Sequence, residues 1–188
     1  MRKFIFTLTM LLVTINLIAQ EHLSFKGIPI EGSITEFCKK LEAKGLTSIG
    51  SENNITMFTG DFTGREATIA VAATDDGNNV FSVVVLFDSS DEWNTLVNTY
   101  DYYKDLYIRK YGKPSKSKER NPSNSDSNIS LMYELWQGRV VWASAWKVTG
   151  GDIELSIEKS GTSEGMVMIR YRDAQNIEAK IQKDLEDI

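Results

Sequence analysis

Apolar residues in this chain fall into two kinds of period, and the change from one to the other recurs along its length. Ile34, Phe37, Cys38 and Leu41 lie at helical spacing behind Ser33-Ile34-Thr35-Glu36. That tetrapeptide is a capping box, in which the Ser33 hydroxyl accepts from the Glu36 amide and the Glu36 carboxylate reaches back. Gly45 supplies the positive φ that stops a helix, so the spacing predicts a helix over 33–44. Alternating stretches follow at 55–62, 65–73 and 80–87, with turns at Thr63-Gly64 and Asp76-Gly77-Asn78. In the third stretch Phe81, Val83, Val85 and Phe87 hold one parity while Val84 and Leu86 hold the other, which predicts a central strand apolar on both sides.

The pattern then restarts. Ser89-Ser90-Asp91-Glu92 reads as a second capping box, opening a longer helix that carries Trp93, Leu96, Val97, Tyr100, Tyr103, Tyr107 and Tyr111 and closes at Gly112 before Pro114. Residues 113–128 read as a polar loop. Strands are expected at about 129–136, 139–148, 152–158 and 165–171, and a C-terminal helix at about 174–186 presents Ile177, Ile181 and Leu185. Phe62-Thr63-Gly64-Arg65 and Trp136-Gln137-Gly138-Arg139 are the same aromatic–polar–Gly–Arg turn, each after a capped helix. The reading is a tandem α-β-β-β duplication, with units at about 33–88 and 89–160 and a strand and helix over 161–188. Strands in sequence with helices between sets give an α+β domain, an antiparallel sheet with helices packed on one face.

The first residues carry a different pattern. Arg2 and Lys3 precede an apolar run from Phe4 to Ile18, and Ala19 offers a small residue for cleavage, the layout of a secretory signal peptide over 1–19. The run is shorter than the ~20 residues a spanning helix needs, and Thr7, Thr9, Thr14 and Asn16 interrupt it. No cysteine stands near the cleavage point to take a lipid, so the expectation is a periplasmic or secreted protein without a stable membrane anchor. Removing 19 of the 188 residues leaves 169, enough for one domain over 20–188. Losing Arg2 and Lys3 takes the 21 basic residues to 19 against 26 acids, a mature charge of about −7. That sign disfavours nucleic acid. Cys38 is the only cysteine, so no internal disulfide forms, and its helical position makes it a small hydrophobe.

Glu21 to Gly45, reading EHLSFKGIPIEGSITEFCKKLEAKG, resembles the start of small uncharacterised secreted proteins of Bacteroidetes, in which a short strand, a Gly-Ile-Pro turn and a capped helix begin the mature chain. The tandem helix-then-antiparallel-sheet layout is similar to the beta-lactamase inhibitor protein fold and to small outer-membrane assembly lipoproteins. The resemblance carries over no catalytic residues, and the missing lipid-acceptor cysteine departs from the lipoproteins.

The chain holds little for catalysis. His22, its one histidine, lies next to the mature N-terminus, where a catalytic pair would be poorly held, and one His with one Cys assembles no ordinary zinc site. Asp75-Asp76-Gly77 and Asn124-Ser125-Asp126-Ser127-Asn128 lack EF-hand spacing and read as a turn and a loop. No cofactor is expected. A carboxylate pair for hydrolysis stays open, since its spacing in space is not visible in sequence.

The aromatic residues give the stronger lead. With Gln137-Gly138 as a two-residue hairpin, Tyr133 would pair with Trp142 and Leu135 with Val140, Trp146 following on the same face and Trp136 on the other. Tyr102, Tyr103 and Leu106 widen the stripe of the long helix beyond what one sheet face needs. Trp and Tyr suit recognition because they offer rigid area with a polar edge, and core filling beneath the helix is the competing reading. Lys113, Lys116, Lys118 and Arg120 make the 113–128 loop locally basic, suited to an acidic partner or simply solvated. The expected function is a non-enzymatic exported binding module that engages a protein partner through a concave sheet face or hairpin tips, an inhibitor being one case. Its candidate binding residues are Trp136, Trp142, Trp146, Tyr133, Tyr102 and Tyr103. The alternative is a carbohydrate- or small-ligand-binding protein, with the same rings stacking on a glycan.

Overall fold

A computed structural model describes residues 21–186 and 188. The leader and its cleavage point lie outside the described residues, Gln20 included. A two-stranded ribbon, β1 (Ser24–Phe25) and β2 (Ile28–Pro29), precedes α1 (Ile34–Ala43). Then come β3 (Thr47–Glu52), β4 (Ile55–Phe62), β5 (Arg65–Ala73), β6 (Val80–Leu86) and α2 (Trp93–Tyr111). The second half holds β7 (Lys116–Arg120), α3 (Asn128–Trp136), β8 (Val141–Val148), β9 (Gly151–Ser160), β10 (Glu164–Asp173) and α4 (Ala174–Leu185). The fold is α+β. One eight-stranded sheet runs in the order β3-β4-β5-β6-β10-β9-β8-β7, antiparallel at every pair.

In that order each half begins with a helix and supplies four strands stepping from an outer edge to the middle, the second half with α3 inserted between its first two strands. They meet where β6 pairs with β10, from Met168↔Leu86 to Arg172↔Ser82. Each unit therefore has one strand more than the three expected. The strand over 164–173, read as lying outside the repeat, is the innermost strand of the second unit. The additional first strands are the two edges, β3 and β7, whose residues are exposed throughout. In β7 the sequence Lys-Ser-Lys-Glu-Arg has no apolar alternation to report a strand, and its charges suit an edge that must not pair with another chain.

One face of the sheet carries the core. Across it run Phe58, Ile69, Val85, Ile169 and Leu155, register partners in turn, with Val71, Val83, Tyr171 and Ile153 in the next row. Phe37 and Leu41 of α1, and Trp93, Leu96, Tyr100, Tyr103 and Tyr107 of α2, bury themselves on this face. At roughly 1.5–3 kcal/mol for each large apolar side chain removed from water, this layer is the main stabilising element. The opposite parity, with Met57, Ala70, Val84, Arg170, Glu154 and Ala145 in one row, remains partly exposed. The double-sided apolar pattern of β6 thus reflects its central place in the sheet. On the open side Arg170 pairs with Glu154 at 3.7 Å, and Arg172 with Asp152 at 2.6 Å and Glu154 at 3.3 Å.

Residues 128–136 form α3, not the expected strand. Ser127 caps it, its hydroxyl accepting from the Ser130 amide at 3.3 Å, and Gly138 at φ +68 ends it. Met132 and Leu135, three apart, are its buried residues, and Leu135 meets Leu96 over the bare backbone of Gly165. A nine-residue helix is held by such packing rather than by propensity. The pairings Tyr133–Trp142 and Leu135–Val140 therefore do not exist. Phe62-Thr63-Gly64-Arg65 is a true hairpin turn, with positive φ at both Thr63 and Gly64, whereas Trp136-Gln137-Gly138-Arg139 is a helix end. Of the first capping box the serine half forms, the Ser33 hydroxyl accepting from the Glu36 amide at 3.3 Å. The second does not: α2 begins after Glu92 with no side-chain cap of its own, and Asn128 accepts from the Trp93 amide at 2.7 Å. The Asn128 amide group also donates to the Asp91 carbonyl, fastening α3 to the start of α2.

Candidate functional site

The six aromatic candidates separate into three roles. Trp146 is core: it is fully buried, its Nε1–H donates to the Gly112 carbonyl at 2.9 Å, and Tyr107 packs 5.3 Å away. Tyr103 is core as well, stacked on Phe87 at 4.4 Å, its hydroxyl donating to the Phe62 carbonyl. Burial raises its phenol above the usual range, the hydrogen bond from Thr63 opposing this. Trp142 is half-buried, edge-on to Trp93 at 5.3 Å and to Tyr100 at 6.5 Å, with a buried Nε1–H that finds no acceptor among the described residues.

Tyr102, Tyr133 and Trp136 face solvent. Tyr102 lies under the Arg65 guanidinium at 5.1 Å, away from the other two in sequence and on a different helix. Tyr133 and Trp136 are brought together by α3. Its inner side spends Met132 and Leu135 on the core, and its outer side presents Ile129, Tyr133 and Trp136 at i, i+4 and i+7, 83 %, 49 % and 49 % exposed. A helix apolar on both sides normally lies wholly inside a protein. Here half of it does not.

The outer stripe is held in shape. Tyr133 and Trp136 meet edge-to-face at 6.2 Å, and the Arg139 guanidinium lies 5.5 Å over the Tyr133 ring. Arg139 is fixed in turn by a two-pronged bond to Glu134, Nε to Oε2 at 2.7 Å and a terminal nitrogen to Oε1 at 2.9 Å. That bond holds the Glu134 carboxyl below its ordinary range. Pre-set aromatic rings beside an ordered arginine lose little side-chain entropy when a partner covers them. Beside the stripe, Ser123, Asn124 and Ser125 form the far wall of a shallow depression whose floor includes Ile129 and Tyr133.

Two residues differ from their sequence reading. His22, expected at a poorly held position, is held between two carboxylates: its Nδ1 lies 3.1 Å from Asp173 Oδ2 and its Nε2 3.6 Å from Glu31. Cys38 is half-buried rather than enclosed, burial raising its thiol above the usual range. Among the described residues no group of three His, Cys, Asp or Glu side chains converges as a metal site would require. None of the helices described is long and apolar enough to cross a membrane.

No protein-family profile matches the chain, and neither a curated protein nor a solved structure matches it.

Proposed function

We propose that this protein is a non-enzymatic binding module, exported under the direction of its leader, that engages a protein partner through the outer side of α3. The observation that carries the reading is the two-sided apolarity of α3, with Ile129, Tyr133 and Trp136 exposed in an ordered row. Anchors at i, i+4 and i+7 are those by which a helix seats in a partner's apolar groove. Trp, Tyr and Arg are the residues from which binding hot spots are built. The Arg139–Glu134 pair gives such a groove a polar rim. The periplasm or the medium is where the partner would be met, and an envelope-associated or inhibitor-like role fits that address. The expected use of Trp146, Tyr103 and Trp142 as contact residues is not part of this proposal, because their rings are committed to packing.

The test is a quantitative cross-linked capture from the native cell envelope and culture fluid, comparing the unmodified protein with Trp136→Ala and Tyr133→Ala. A single partner recovered near stoichiometrically, and lost in both variants while their melting temperatures hold, supports the reading. Equal recovery by all three proteins removes α3 from the interface. A dimer in light scattering that both variants abolish would make the partner a second copy of this chain.

A further inference from the structure

A cleft elsewhere in the molecule has features of a small-ligand site. It opens between the N-terminal ribbon and the C-terminal half of α2, holds about 230 Å³, and adjoins a shallower depression of about 530 Å³. Together they fall in the size range of small-molecule sites, roughly 300–1,000 Å³. The walls are Phe62, Tyr103, Leu106 and Tyr111, the last stacked against Tyr107 at 5.8 Å.

The floor is polar. Tyr107 and Tyr171, both buried, share one hydrogen bond between their hydroxyls. Two phenols carry two protons and their mutual bond uses one, so the second O–H has no acceptor among the described residues. Burial raises both phenols above the ordinary range, with the neighbouring tyrosine charges adding to it. They are thus donors at neutral pH.

The rim is basic. Lys26 and Lys110 border the cleft and Lys147 the adjoining depression, and among the described residues none of the three pairs with a carboxylate. Lys26 donates to the Asp61 carbonyl at 2.9 Å, which holds its ammonium at the mouth. Among the described residues Glu21 is the one acid lining either part. A positive rim in a chain of net charge −5 is a local reversal of sign that draws in anions.

We propose that this cleft binds a small organic carboxylate with a planar apolar body, its ring between Leu106 and Tyr111 and its carboxylate between the lysines and the spare tyrosine proton. The site stands apart from the outer side of α3, so either reading can fail without the other.

The experiment is calorimetric titration of the purified protein with 2-naphthoate, in parallel with neutral 2-naphthalenemethanol and cationic 2-naphthylmethylammonium. Trp146, beside Tyr107, gives a fluorescence readout of the same event. Saturable one-site binding of naphthoate, at least tenfold tighter than the alcohol, is expected. Lys110→Met, at an exposed position, should weaken naphthoate about tenfold, or about 1.4 kcal/mol, and leave the alcohol unchanged; Lys147→Met should do the same to a smaller degree. Three results would each overturn the proposal: no saturable naphthoate binding up to its solubility limit, equal affinity for the ammonium compound, or indifference to both lysine substitutions.

Discussion

Asp173→Ala tests how the N-terminal segment is bound to the body of the fold. Asp173 has no solvent exposure and joins three pieces of chain. Its Oδ2 accepts from the Leu23 amide at 2.9 Å, its Oδ1 accepts from the Asn176 amide at 2.9 Å as the N-cap of α4, and His22 Nδ1 stands 3.1 Å away. Alanine removes one charge-assisted bond to Leu23, worth about 1.5–3 kcal/mol with the stranded amide. It also removes the cap of α4, worth about 1 kcal/mol. The expected loss is therefore about 2.5–4 kcal/mol, a large part of the ~5–15 kcal/mol that holds a domain of this size. At about 2–4 °C per kcal/mol, the melting temperature should fall by about 10 °C. Urea denaturation followed by tryptophan fluorescence measures the loss, and hydrogen exchange at Leu23 locates it. Asp173→Asn, which keeps the shape and one acceptor, should cost less than half as much. A loss below about 1 kcal/mol for alanine, against the value expected for a bond to a buried charge, would refute the reasoning, as would unchanged protection at Leu23.

Three further outcomes are expected. Leu135→Ala and Trp136→Ala, neighbours on α3, should behave oppositely: the first opens the core and costs about 2–5 kcal/mol, while the second, half-exposed, should leave stability within about 1 kcal/mol, as thermal melts will show. Gly151→Ala should destabilise severely, because its Cβ would collide with the Arg172 carbonyl oxygen, a backbone atom that cannot swing aside, where β9 meets the end of β10; urea denaturation of the variant tests this. Tyr100, Tyr103, Tyr107 and Tyr171 all have phenols raised by burial from an unfolded value of 10.0. Their contribution to stability is full below that pH and is lost as the pH climbs through the raised folded values. Absorbance at alkaline pH should therefore lack these four phenolates until the protein unfolds.

Local chemistry alone determined a good part of this protein. The α+β class, α1 with its Ser33 cap, the hairpin at Thr63-Gly64 and the paired succession of helix and strands follow from caps, turn residues and the change of apolar period. Each of these signals acts over only a few residues. The edge strands β3 and β7 left no such signal, because an edge strand exposed on both faces needs no apolar alternation. At 128–136 the local signal was ambiguous: nine residues of mixed apolar and polar character fit a strand or a short helix, and the choice was made by Leu135 packing on Leu96 above Gly165. Asn128 capping α2 across 35 residues of sequence, and Asp173 holding Leu23 across 150, are likewise products of the closed fold. The tyrosines and tryptophans show the same division. Their abundance was plain from the sequence, but whether a ring meets solvent depends on which neighbours the sheet brings against it. That is why Trp146 fills the core while Trp136 stands outside it.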